Sequence, residues 1–154
     1  MSAHVCLIAE SDSRGEPEKL LRRCGLTVLR FERAAAWREV APKRDVLLVV
    51  ADLPADEGLR ELKALRAMGV GWPAILVAQP GFVLSAQQRE EAGVLEVMPR
   101  PIAPRAFLGW IECVCAAHLA LAQRRSAAVQ RPTNREESAW TEPRAVHQIL
   151  RALG

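Results

Sequence analysis

The sequence predicts an α/β chain: an open, doubly wound sheet of five parallel strands in the order 2-1-3-4-5, followed by a C-terminal extension. Three observations carry this. Residues 46–51 form an unbroken apolar run, Val-Leu-Leu-Val-Val-Ala, flanked by Asp45 and by Asp52, Pro54 and Gly58. A short run of this kind, rich in β-branched residues, reads as a strand covered on both faces. Four further β-rich runs alternate with helical patterns along the chain, which implies βαβ units with right-handed crossovers. Glycine, proline and short polar clusters punctuate each change of pattern.

In order, residues 4–9 are a first apolar strand, followed by the polar loop Glu10, Ser11, Asp12, Ser13 and Arg14. Residues 16–24 read as a helix, with Pro17 in its first turn, Leu20, Leu21 and Cys24 on one face, and Gly25 as its stop. Residues 26–31 are a second strand. Residues 33–40 are a short helix closed by Pro42. The third strand, 46–51, leads through a loop bearing Asp52, Asp56 and Glu57 to a helix over 58–68. Gly69, Gly71 and Pro73 precede a fourth strand at 74–78. Ser85 is an N-cap for a helix that Gly93 ends. Residues 94–98 are the fifth strand, Pro99-Arg100-Pro101 a rigid turn, and 104–125 a long helix.

The predicted domain is therefore 1–125, and 126–154 is an appendage. Residues 126–139 are polar and Pro-broken, with the composition of a disordered linker. After Trp140, the residues Val146, Ile149, Leu150 and Leu153 form one apolar stripe of a last helix. A helix this short needs a docking surface to persist in water.

Residues 1–122 carry 15 basic and 15 acidic residues, and 123–154 carry six Arg against three Glu, so the net charge of +3 resides in the tail. No uninterrupted apolar run reaches the roughly 20 residues that span a bilayer. The N-terminus lacks the basic region of a signal peptide. The cysteines Cys6, Cys24, Cys113 and Cys115 lack metal-ligand spacing and read as reduced thiols of a cytoplasmic protein. His4, His118 and His147 are scattered, and no Gly-rich phosphate loop follows the first strand. No cofactor, metal or enzymatic chemistry is expected.

In an open parallel sheet, ligands sit beyond the carboxyl ends of the central strands. There the scaffold resembles the receiver domain of bacterial two-component response regulators over about residues 3–123, with its flavodoxin/CheY-like fold. Asp45-Val46-Leu47-Leu48 resembles the opening of that family's third strand. Pro54 and Gly58 match the loop after it, Pro73 precedes the fourth strand, and Met98-Pro99-Arg100-Pro101 resembles the approach to its Lys-Pro turn. The resemblance implies a Mg²⁺-binding acidic pair after strand one, a phosphoacceptor Asp ending strand three, a Thr or Ser ending strand four, and a Lys after strand five. In register, these positions hold Glu10 and Ser11, Val50, Ala78 and Arg100. Val50 has no nucleophilic oxygen, Ser11 removes a charge from the metal pair, Ala78 has no hydroxyl, and Arg100 is not equivalent to Lys. Asp52, two residues beyond Val50 and about 6.6 Å further along an extended strand, forms with Asp12 an alternative acidic site.

The long helix has a broad apolar surface. The resemblance implies a protein partner or a homodimer through 94–125, with Trp110, Val114 and Leu121 as partner-binding residues. The expected function is a phosphorylation-independent signalling module acting by protein–protein interaction, in bacterial signal transduction or transcription control. One alternative is a working phospho-receiver using Asp52. The other is a fragment of a DNA-binding regulator, since the basic tail is compatible with nucleic acid, although no DNA-reading motif accompanies it.

Overall fold

The computed structural model describes residues 4–11, 15–40 and 45–130. Strands β1 (His4–Ala9), β2 (Thr27–Phe31), β3 (Val46–Asp52), β4 (Ala74–Ala78) and β5 (Val94–Pro99) form one sheet in the order β2-β1-β3-β4-β5. All four pairings are parallel, as the alternation of elements requires. The helices are α1 (Glu16–Arg23), α2 (Trp37–Val40), α3 (Ala55–Ala67), α4 (Ala86–Ala92) and α5 (Pro104–Gln130). The chain divides into two units, Met1–Leu108 and Gly109–Gly154, and α5 begins in the first and continues in the second.

Burial in the first unit follows strand position. Every residue of β1 and β4 is buried, and so is every residue of β3 up to Ala51. These strands lie between two neighbours and carry near-continuous apolar sequence. The edge strands β2 and β5 are mixed, with Arg30 and Glu96 only partly covered. Phe107, Leu7, Ile8, Leu48 and Ile75 are among the largest fully buried side chains. The Cys6 thiol is pushed up to about 12 by burial, so it stays protonated and unreactive in the folded chain.

Several boundaries differ from the sequence reading, for local reasons. Residues 33–40 split into a 3-10 turn, Ala34–Ala36, and the single-turn α2. The backbone N–H of Ala34 donates to Glu61 Oε2 at 2.7 Å, so a side chain of α3 caps that turn. Helix α3 starts at Ala55 rather than at 58, which puts Asp56 and Glu57 in its first turn instead of in a loop. Both carboxylates are well placed against the helix dipole there. Gly58 is therefore helical, and its role is close packing: a Cβ at this position would lie 2.7 Å from Leu76 Cδ1. Ser85 and Gly93 act as expected. Ser85 Oγ accepts from the Gln88 N–H, the Gln88 side chain accepts from the Ser85 N–H, and Gly93 closes α4 at φ 66°.

Helix α5 runs past Arg125 to Gln130. Residues 126–130 contain no helix breaker, and the first proline is Pro132, which disfavours helix at the residue before it. The segment expected to be helical within 140–154, and the rest of the expected linker, lie outside the described residues. Although its apolar residues are interrupted by charges, α5 over Pro104–Ala127 is long and apolar enough, by length and composition, to cross a membrane, with a window hydropathy of 1.4. Helices of other kinds meet the same length and composition, so this feature alone does not place α5 in a membrane, and the expectation that no uninterrupted apolar run is long enough stands. The many Ala, Leu and Cys residues of α5 raise the average despite Arg105 and Glu112.

Candidate functional site at the carboxyl edge of the sheet

Strand β3 reaches the edge of the sheet at Asp52, which lies opposite Ala9, the last residue of β1. The Asp52 side chain is 12% exposed and accepts a hydrogen bond from Arg100 Nη2 at 2.7 Å. The same nitrogen donates to the Leu53 carbonyl at 3.2 Å. The Arg100 backbone N–H donates to the Ala78 carbonyl at 2.9 Å, which stitches the turn after β5 to the end of β4. The sheet thus aims the guanidinium at the Asp52 carboxylate. The charge-assisted bond is stronger than a neutral one.

Gly15, just before α1, approaches the same carboxylate: a Cβ there would lie 2.5 Å from Asp52 Oδ2. Sequence reasoning did not single out this glycine. It stands in a polar loop, where turn chemistry is the ordinary explanation, and only the fold brings it to β3.

The other sequence-selected positions are distributed unevenly. Val50 and Ala78 are both 0% exposed. Val50 sits inside the sheet between Leu7 of β1 and Ile75 of β4. Glu10 and Ser11 are exposed just beyond β1. Asp12 lies outside the described residues. The structure therefore brings Asp52 and Arg100 together and withdraws Val50 into the core.

A second residue missed in the sequence is Arg30, on edge strand β2. Its Nη2 donates to the Glu10 carbonyl at 2.6 Å, and its Nη1 pairs with Glu18 at 2.7 Å. Glu18 also pairs with Arg22 at 3.0 Å. Burial raises the Glu18 pKa, but the hydrogen bonds and charges of Arg22 and Arg30 outweigh it, so the carboxyl is held below its ordinary range. An open cleft of about 600 Å³ lies beside Glu10 and Ser11, and is lined also by Glu32, Arg33, Leu53, Glu57, Arg60 and Glu61.

The described donors fit Mg²⁺ poorly. Mg²⁺ takes carboxylate and water oxygens in near-octahedral geometry and gives up its waters reluctantly. Here the Asp52 carboxylate is held by a cation, Ser11 beside Glu10 offers no carboxylate, and among the described residues no three His, Cys, Asp or Glu side chains converge.

On α5, Trp110 and Leu121 are half-buried. Val114, expected to meet a partner, is only 2% exposed. It shares a helix face with the buried Phe107 and Ile111 at spacings of seven and three, so it belongs to the covered side of the helix.

No protein-family model and no curated protein matches the chain. Solved structures do. The response regulator StyR superposes with a TM-score of 0.64 at 20% identity, covering 99% of this chain and 87% of that one. A response regulator receiver protein from Pseudoalteromonas atlantica gives 0.60 at 17% identity, covering 75% and 98%. The structure titled FixJ-N gives 0.55 at 22% identity, covering 73% and 92%. Likeness at this level of identity shows the fold, and the fold is that of response-regulator receiver domains.

Proposed function

We propose that a chain with the receiver fold and this edge is a signalling module that works without phosphorylation, as a pseudo-receiver acting by protein–protein contact in the cytoplasm. The observation that carries the reading is that the end of β4, stitched to Arg100, is Ala78, 0% exposed and without a hydroxyl. Phosphoryl transfer to a carboxylate needs a free nucleophilic oxygen, a metal to neutralise phosphoryl charge and a fixed cation on the transferring group. Here Arg100 supplies a cation, but the strand-four position is the methyl of Ala78 and the described donors suit a metal poorly. Any switch then comes from a partner that binds two conformations unequally. Helix α5 offers Trp110 and Leu121 as half-covered apolar residues for a protein partner or a second copy. A Trp110→Glu variant is expected to remain folded and lose that association in sedimentation at high micromolar concentration.

The phospho-receiver reading has one observation in its favour: Asp52, not Val50, ends β3 and meets the cation that follows β5. One experiment separates the two. After incubation with acetyl phosphate and Mg²⁺, intact-mass spectrometry is expected to show no added phosphoryl group. A stoichiometric gain, lost in Asp52→Asn, hands the function to the phospho-receiver.

A further inference from the structure

Helix α5 has a side of small and apolar residues on which Leu119 and Ala122 are exposed. Leu119 is 61% exposed. Cys115, Leu119, Ala122 and Ser126 follow one another at helical spacings of four, three and four, so they share a stripe. That stripe is on the other side of the helix from Trp110 and Leu121, which lie about 150° away at 100° per residue.

We propose that the occupant of this stripe is the chain's own residues 142–153, folded back antiparallel on α5 as an αα-hairpin. Two observations choose this occupant. The segment carries a matching stripe, Val146, Ile149, Leu150 and Leu153, and has no other apolar face. Lengths agree: residues 119–130 and 142–153 each rise about 16 Å as helix, and residues 131–141 between them suffice to reverse direction. Antiparallel pairing then sets Leu153 near Leu119, Leu150 near Ala122 and Val146 near Ser126, so that two of the three pairs are large against small.

The hairpin answers the physical need of a helix too short to persist alone. It leaves the Trp110 side of α5 to a partner, and does not depend on whether Asp52 takes phosphate.

Hydrogen exchange on the full chain at low micromolar concentration tests it. Amides of 146–153 are expected to be protected at least about tenfold over unstructured chain. Leu119→Glu and Leu150→Glu should each abolish that protection while the strands keep theirs, and the double variant should lose no more than either alone. Exchange of 146–153 at the unstructured rate overturns the proposal. So does protection that survives Leu119→Glu. Protection that appears only as concentration rises assigns the stripe to a second copy, and protection that requires lipid vesicles assigns it to a membrane; either result also overturns it.

Discussion

The interior of β3 and its last residue obey different rules. From Val46 to Ala51 the strand is buried and apolar, and its neighbours β1 and β4 are equally covered. One residue later, Asp52 is a carboxylate held by an arginine from the turn after β5. The interior supplies the folding free energy, since burial of apolar area dominates stability. The edge holds a charged pair instead, closely approached by Gly15. The receiver fold is kept here at 15–22% identity to its structural neighbours, because it rests on the buried apolar residues of the strands.

The harshest test of this division places an edge residue in the interior. Val50→Asp restores an acid at the position that motif register assigns to the phosphoacceptor, but buries it between Leu7 and Ile75. An unpaired charge there is expected to cost about 3 kcal/mol or more, read as a lower urea midpoint, with no phosphorylation gained. A stable Val50→Asp protein that accepts phosphate would show that position 50 opens to the edge, and the division drawn within β3 would fail.

A smaller effect is expected when the edge itself is altered. Arg100→Ala leaves Asp52 without its cation. Because the Arg100 side chain is 40% exposed, the loss should be about 1 kcal/mol. Asp52→Asn should cost less, and the double variant should cost less than the sum. Additive effects would mean that the pair does not interact in solution.

The smallest effect belongs to the surface ladder that holds the β1 loop. Glu18 has a lowered pKa in the fold, so its contribution is present above the ordinary glutamate value near about 4.3 and fades as pH falls through the lowered value. Glu18→Gln should cost about 0.5 kcal/mol at neutral pH, and the difference from the parent chain should vanish in acid. A difference independent of pH would assign the effect to packing rather than charge.

Much of this was legible in the sequence. Uninterrupted apolar runs mark strands with a neighbour on each side, and the alternation of elements dictates parallel pairing, while the order β2-β1-β3-β4-β5 is one of two common doubly wound orders that such a pattern allows. Ser85 and Gly93 announced the ends of α4, because capping is a property of adjacent residues. The edge was legible only as composition: Glu10, Ser11, Ala78 and Arg100 could be assigned to strand ends by counting. What tertiary structure alone decided was contact between distant segments. Counting from Pro54 and Gly58 singled out Val50, but whether a residue lies within the sheet or at its rim depends on pairing with β1, and Ala9 stands opposite Asp52. Gly58 was read at the junction of loop and helix, and only the fold shows that it is kept small by Leu76. Arg100 and Asp52 are separated by 47 intervening residues, Arg30 and Glu10 by 19, and Gly15 and Asp52 by 36. No spacing rule joins such residues. They meet because right-handed crossovers return the carboxyl ends of β1, β3, β4 and β5 to one side of the sheet, where short charged groups come within hydrogen-bonding reach.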